Sequence, residues 1–264
     1  MGLSAELQER LDILETNRPQ YTHLGHHLGE KSIMLLVAGI GSGKSTIAQK
    51  MERMSATKRM VVKEVGTHTT RERKDTDPDS YITDIPHDEL IDDIEHGIPI
   101  NWSLIKNTGQ IYSTYEDGLL AKHNVLPTLP DSIPMFIRSG LKVQVVYVAR
   151  PVDDWRGQFK EPITDEGVYG RIDETLSSIE FLKSGQKIDG DAIDIVKIVN
   201  HDGEEALRKT AGALLDIVKA GDNWRQRAKP DTSLTDGFDA HINDMYTAGL
   251  EMLRDAEIED NERI

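Results

Sequence analysis

The stretch LLVAGIGSGKST, Leu35 to Thr46, leaves its segment few ways to fold. Ile33 to Val37 is apolar throughout and has the length of a fully buried strand. Gly39, Gly41 and Gly43 follow at alternate positions, where they let an anion come close to backbone N–H groups. Ser45 to Met51 continues as the first turns of a helix, whose N-terminus attracts negative charge. This order predicts a phosphate loop, with Ala38 where a first glycine is usual. Lys44 is expected to reach the outer phosphates of a nucleotide, and the Ser45 hydroxyl to ligate Mg²⁺. Gly39, Gly41, Ser42, Gly43 and Thr46 complete the expected cradle.

Composition bounds the rest. The chain has 264 residues, 38% of them hydrophobic, which suits one good-sized core with appendages or two small domains. With no cysteine, a disulfide framework and thiolate metal sites are excluded. No apolar run approaches about 18 residues, and no basic-then-apolar leader opens the chain. Glu6 also breaks the myristoylation pattern that Gly2 begins. A cytoplasmic protein is expected, bound neither to membrane nor to nucleic acid. A net charge of −15 argues the same way, since polyanions repel such a surface. If so acidic a chain handles nucleotides, its basic residues must gather locally.

Leu3, Leu7, Leu11 and Leu14 share one helical face before Pro19, so residues 1–30 read as a helical extension, expected to pack on its own domain. His23, His26 and His27 follow without a carboxylate or cysteine to complete a metal set. Short strands are expected at Met60–Val65 and Tyr81–Thr83, with a helix over Asp88–His96 stopped by Gly97. Ile98–Ile105 and Gln110–Tyr112 read as strands around an Asn107-Thr108-Gly109 turn. Residues 142–149 and 194–199 read as core strands and Glu204–Lys219 as an amphipathic helix. Asn124 to Pro134 reads as broken by prolines. Strands alternating with helices predict an α/β fold, a parallel sheet core flanked by helices. Phe238, Ile242, Met245, Leu253 and Ala256 trace a last helical stripe, and residues 251–264 form an acidic tail. The expected division is 1–30, 31–220 and 221–264.

A second constellation lies downstream. Thr69-Thr70-Arg71 with Arg73 and Lys74, then Tyr81, then Tyr112-Ser113-Thr114, offers cations and hydroxyls for a second phosphate. In order and kind these residues resemble the guanylate kinase family of P-loop nucleoside monophosphate kinases. The resemblance spans roughly 31–219 and rests on AGIGSGKST, GTHTTRERK followed by DSY, PINWS, GQIYST, VYVARPVDDW, TDEGVYGRI and IVNHD. It implies a P-loop kinase fold with a small nucleotide-monophosphate-binding part at about 66–115 and a lid at about 155–172. It implies ATP and Mg²⁺ as cofactors and transfer of a phosphoryl group to a (d)NMP, GMP or dGMP first among them. Arg71, Tyr81 and Tyr112 would hold the acceptor phosphate, with Lys74 where the family has an arginine. Thr67 and Thr114 would lie at the purine, and Asn101 stands where the family uses a base-binding glutamate. Arg171 would touch the transferring phosphates and Asn200 would lie near the donor adenine. Lys44, Arg71 and Arg171 would thus be the catalytic cations. Asp131 is the one candidate for an otherwise unrecognised acidic residue at the metal or base. The rival readings are a kinase of another phosphorylated acceptor such as ribose bisphosphate, a binding module of this shape without catalysis, and a nucleotide-hydrolysing switch. Self-association, if any, is expected through the terminal helices.

Overall fold

The structure is a computed structural model, and it describes residues 4–17, 28, 30–39, 41–75, 77, 79–105, 108–157, 166–185, 187–188, 191–221 and 232–262. The three histidines of the 23–27 region, Leu3 and residues 158–165 of the expected lid lie outside the described residues, as do the side chain of Ala256 and the end of the acidic tail.

The apolar run forms β1 (Ser32–Val37), buried along nearly its whole length. It belongs to a five-stranded sheet with β2 (Val62–Glu64), β6 (His123–Thr128), β7 (Lys142–Ala149) and β10 (Ile195–Val199), in the order β10-β7-β1-β6-β2. Pairings are parallel: Ile195 faces Val145 through Val199 facing Ala149, and Val62 faces His123 through Glu64 facing Val125. Helices flank this sheet, as parallel strands joined by crossovers require. The sequence expectation of an α/β fold with a parallel sheet therefore holds.

One segment differs from expectation. The proline-broken stretch is in part a core strand, β6, next to β1. Val125 turns its carbonyl to β2, accepting a bond from the Val65 amide. Pro127, two residues on, points its missing N–H to the same side, and the register of β2 has already ended there. The proline therefore removes no ladder bond.

The chain divides into two compact units. The first comprises Met1–Ile33, Val62–Val125 and Asp131–Val143; the second comprises Met34–Val61, Leu126–Pro130 and Gln144–Ile264.

In the first unit, a three-stranded antiparallel sheet has the order β3 (His68–Thr69), β5 (Gln110–Thr114), β4 (Asn101–Ile105). α3 (His87–Glu95) packs on it and ends at Gly97, whose φ of 66° continues the chain out of the helix. α1 (Ala5–Thr16) is capped by the Ser4 hydroxyl. Its Leu11 and Leu14 join Leu90, Ile91, Ile94, Trp102, Ile111 and Met135 in one buried cluster. Arg10 holds Glu95 through two bonds of 2.8 Å. The N-terminal helix is thus packed on its own unit, on its apolar face. α4 (Ile133–Arg138) completes this unit's helices among the described residues.

In the second unit, α2 (Lys44–Ser55) packs against α7 (Glu204–Ala220). α5 (Val152–Arg156) and α6 (Glu166–Lys183) pack against α9 (Phe238–Glu262), and a two-stranded ribbon, β8 (Lys187–Ile188) and β9 (Asp191–Ala192), leads to β10. α8 (Thr232–Thr235) lies on β10. Phe238, Ile242 and Met245 are buried as the stripe predicts. No helix among the described residues is long and apolar enough to cross a membrane.

Candidate functional site

The loop between β1 and α2 belongs to the second unit. Gly41 and Gly43 adopt φ values of 79° and 86°, which a side chain would disfavour. Gly43 stands directly before the first helical residue, Lys44. A side-chain carbon at Gly43 would lie 2.4 Å from Asn200 Nδ2, and one at Gly39 would lie 2.3 Å from Thr175 Oγ1 and 2.6 Å from Thr175 Cα. The glycines are therefore needed for close approach as well as for dihedral freedom.

Three side chains hold this loop. Lys44 Nζ donates to the carbonyls of Ala38 and Gly39, at 2.6 and 2.7 Å. Burial lowers the pKa of this amine to about 8, with the Glu174 carboxylate on α6 opposing the shift. Asn200, just after β10, donates from Nδ2 to the Ser42 carbonyl at 3.0 Å. Arg150, just after β7, donates to the Gly41 carbonyl at 2.6 Å and pairs with Asp202. Ser42 Oγ, Asn200 Oδ1 and Arg150 Nε are buried polar atoms with no partner. Buried groups of this kind are normally satisfied, so they mark where a polar ligand fits. Ser45 and Thr46 are exposed in the first turn of α2, where backbone N–H groups have no partner inside the helix. Such N–H groups suit an anion such as phosphate, and an exposed hydroxyl is a hard oxygen that can serve as one ligand of Mg²⁺.

Arg171, on α6, is exposed. It lies one helical turn before Thr175, whose hydroxyl donates to the Arg171 carbonyl.

The first unit carries the second constellation on its three-stranded sheet. Thr69 pairs with Tyr112, Tyr112 with Ser103, and Thr114 with Asn101. Paired residues share a face, so these side chains line one side of the sheet. His68, Ser113, Trp102, Ile111 and Leu104 line the other, and its apolar members pack into the cluster under α3. The alternation thus separates a packing face from a polar face.

No family model matches this chain, and no curated protein matches it. Among solved structures it is similar to a guanylate kinase from Anaplasma phagocytophilum. The identity is 16% and the TM-score 0.48, over 83% of this chain and 94% of that one.

On the polar face, Arg71 is 8% exposed. Its Nε donates to the Tyr112 hydroxyl at 3.0 Å, and one outer nitrogen donates to the Glu72 carbonyl at 2.8 Å. Both outer nitrogens grip the Asp77 carboxylate, at 2.9 and 2.6 Å. This pairing holds the Arg71 proton more firmly than usual. Burial pushes the Asp77 carboxyl up, but Arg71 and the Lys74 amide together hold it below its usual value. Burial raises Tyr112, with Arg71 opposing, and raises Tyr81, with the Glu64 charge adding to the shift. Thr67 and Thr114 are buried, at 5% and 2% exposure. Asn101 Nδ2 donates to Ser132 Oγ at 3.3 Å, while its Oδ1 is buried without a partner. The Lys74 side chain is exposed, as is Asp131 in the turn before α4.

Sequence reasoning missed Arg150, Thr175 and Asp77. A signal existed for Arg150, because it ends the apolar run 142–149, and ligands of open α/β sheets bind outside the carboxyl ends of strands. Nothing in the sequence singles out Thr175 on its helix. Asp77 sits in DTDPDS, where three acids in a turn-rich run read as loop chemistry.

Proposed function

We propose that this protein is an ATP-dependent kinase of a nucleoside monophosphate, with GMP or dGMP the first expected acceptor. The observation that carries the reading is the loop. Two glycines at positive φ lead into a helix N-terminus, with a lysine ammonium folded over the loop's own carbonyls. That is an anion cradle with one titratable cation.

The donor nucleotide's phosphates would lie on the α2 N-terminus, with two of the three Lys44 N–H groups already fixing the amine beside them. Mg²⁺ on the Ser45 hydroxyl would supply charge neutralisation of the donor phosphates. Ser42 and Asn200 carry buried oxygens that can accept a ligand's or a water's protons. The acceptor would use the polar face of the first unit: Arg71, Tyr81 and Tyr112 for its phosphate, Thr67 and Thr114 near its base, with Lys74 an auxiliary charge. Asn101 Oδ1 is a buried acceptor atom suited to a base N–H. A monophosphate is already an anion, so transfer needs little proton chemistry. It needs two polyanions held in line while cations offset their repulsion, the part assigned to Lys44, Arg71 and Arg171.

The test is an acceptor panel. ATP consumption is followed with GMP, dGMP, AMP, dTMP and ribose bisphosphate side by side. Turnover with a guanine monophosphate above the others supports the full reading. Turnover with ribose bisphosphate alone replaces the acceptor. ATP binding without turnover on any acceptor makes the chain a binding module, and ATP hydrolysis without an acceptor makes it a switch.

A further inference from the structure

Arg71 has five N–H donors, and four are committed within the first unit: one to Tyr112, one to the Glu72 carbonyl and two to Asp77. The two that bind Asp77 are the outer pair, the fork that would otherwise take two oxygens of a phosphate. The Asp77 carboxylate is itself built in. Its side chain is 7% exposed, one oxygen also accepts the Lys74 amide at 2.8 Å, and the Asp77 amide returns a bond of 3.0 Å to the Lys74 carbonyl. A closed turn therefore presents a carboxylate to the arginine. The surroundings add no net positive charge: Arg71, Arg73 and Lys74 are interleaved with Glu72, Asp75, Asp77 and Asp79. Arg73 lies 3.6 Å from the exposed Asp79 carboxylate.

With Nε held by Tyr112, the outer pair of N–H groups is the edge left for a bidentate partner, so Asp77 and a bidentate phosphate cannot both occupy it at once. We propose that Asp77 is an internal competitor for the acceptor's phosphate, a carboxylate that holds the Arg71 fork and must swing away before a phosphorylated ligand can bind there. This rests on the assignment of Arg71 to the acceptor phosphate made above. The Tyr112 hydroxyl and the Glu72 carbonyl keep the guanidinium in place during the exchange, because their bonds use the other two donors. Affinity for the incoming phosphate is then reduced by the fraction of molecules in which Asp77 holds the fork. A dianionic phosphate displaces a single carboxylate more readily than a monoanion does, so the exchange favours phosphomonoesters over carboxylate ligands.

The experiment uses the full chain and inorganic phosphate as the probe. Phosphate also binds helix N-termini, so the reading is local, from the amide resonances of Lys74 and Tyr112 during titration of wild type and Asp77→Asn. The asparagine keeps an oxygen for the Lys74 amide but gives up the charge. The half-saturating phosphate concentration at these resonances is expected to fall roughly tenfold in the variant. The fall should vanish in the double variant with Arg71→Gln. Equal or weaker binding in Asp77→Asn would overturn the proposal and make Asp77 a brace that positions Arg71. So would the absence of any response at these resonances in both proteins. Should the variant not fold, hydrogen exchange of the Lys74 amide in wild type decides. Saturating phosphate should speed it, as Asp77 leaves; unchanged or slower exchange would overturn the proposal. These outcomes separate from those of the acceptor panel. Tightening without turnover on any acceptor removes the kinase and leaves the competitor, whereas turnover without tightening does the reverse.

Discussion

At the scale of single residues, the account depends on a few atoms kept close at some cost. Lys44 is a charged amine against two carbonyls, and its burial lowers the pKa to about 8 from 10.5. The folded chain therefore releases this proton before the unfolded chain does. Between those two values the unfolded state binds more protons, so this group's contribution to stability rises with pH. Binding of ATP should move the opposite way. Its affinity is expected to fall as pH rises through about 8, because the neutral amine no longer attracts phosphate. Calorimetric titration from about pH 7 to about pH 9 checks this, and Lys44→Arg should flatten the profile, since arginine stays charged. Gly39→Ala should destabilise the second unit by about 1–3 kcal/mol, because its new carbon meets the Thr175 backbone as well as its hydroxyl. Removing the hydroxyl with Thr175→Ala should not rescue it, which urea denaturation of the double variant would establish.

At the scale of elements, α1 is held mainly by what it buries. Leu14 is fully buried in the cluster with α3, whereas the Arg10 side chain is 26% exposed in its pairing with Asp92 and Glu95. Leu14→Ala should cost about 2–5 kcal/mol in urea unfolding, and Arg10→Ala about 1 kcal/mol or less. The reverse order would mean that the helix is pinned electrostatically and its apolar face is free for a partner. The sequence made β1, the loop and α2 legible because three independent signals stand in unbroken order. The leucine spacing of α1 and the strands 142–149 and 194–199 were legible for the same reason, strong periodicity or long apolar runs. β6 was not, because Pro127 and the polar His123 and Asn124 hide a strand whose prolyl nitrogen happens to face past the end of β2. The polar face of the three-stranded sheet was legible as a set of residue types. The carboxylate on Arg71 was not, because it stands six positions further on and no periodicity encodes that contact.

At the scale of the whole molecule, a net charge of −15 means that folding compresses like charges. Adding salt from a few millimolar to roughly 0.2 M should raise the melting temperature, by screening that repulsion over shorter distances. A flat or falling response in thermal melts would mean that local pairs such as Lys58 with Asp216 and Lys197 with Asp239 already offset it. Each unit holds one of the two sets of residues that the kinase reading requires, the loop in the second and the polar sheet face in the first. Loss of Lys44 should therefore abolish turnover, by at least about 10³-fold, while melting stays near that of wild type. The most direct measurement is ³¹P NMR of the wild-type protein mixed with Mg·ATP and GMP. The account predicts two nucleoside diphosphates growing in equal amounts, with no inorganic phosphate and no change in the Lys44→Ala protein. ADP appearing with inorganic phosphate while GMP stays intact would contradict it.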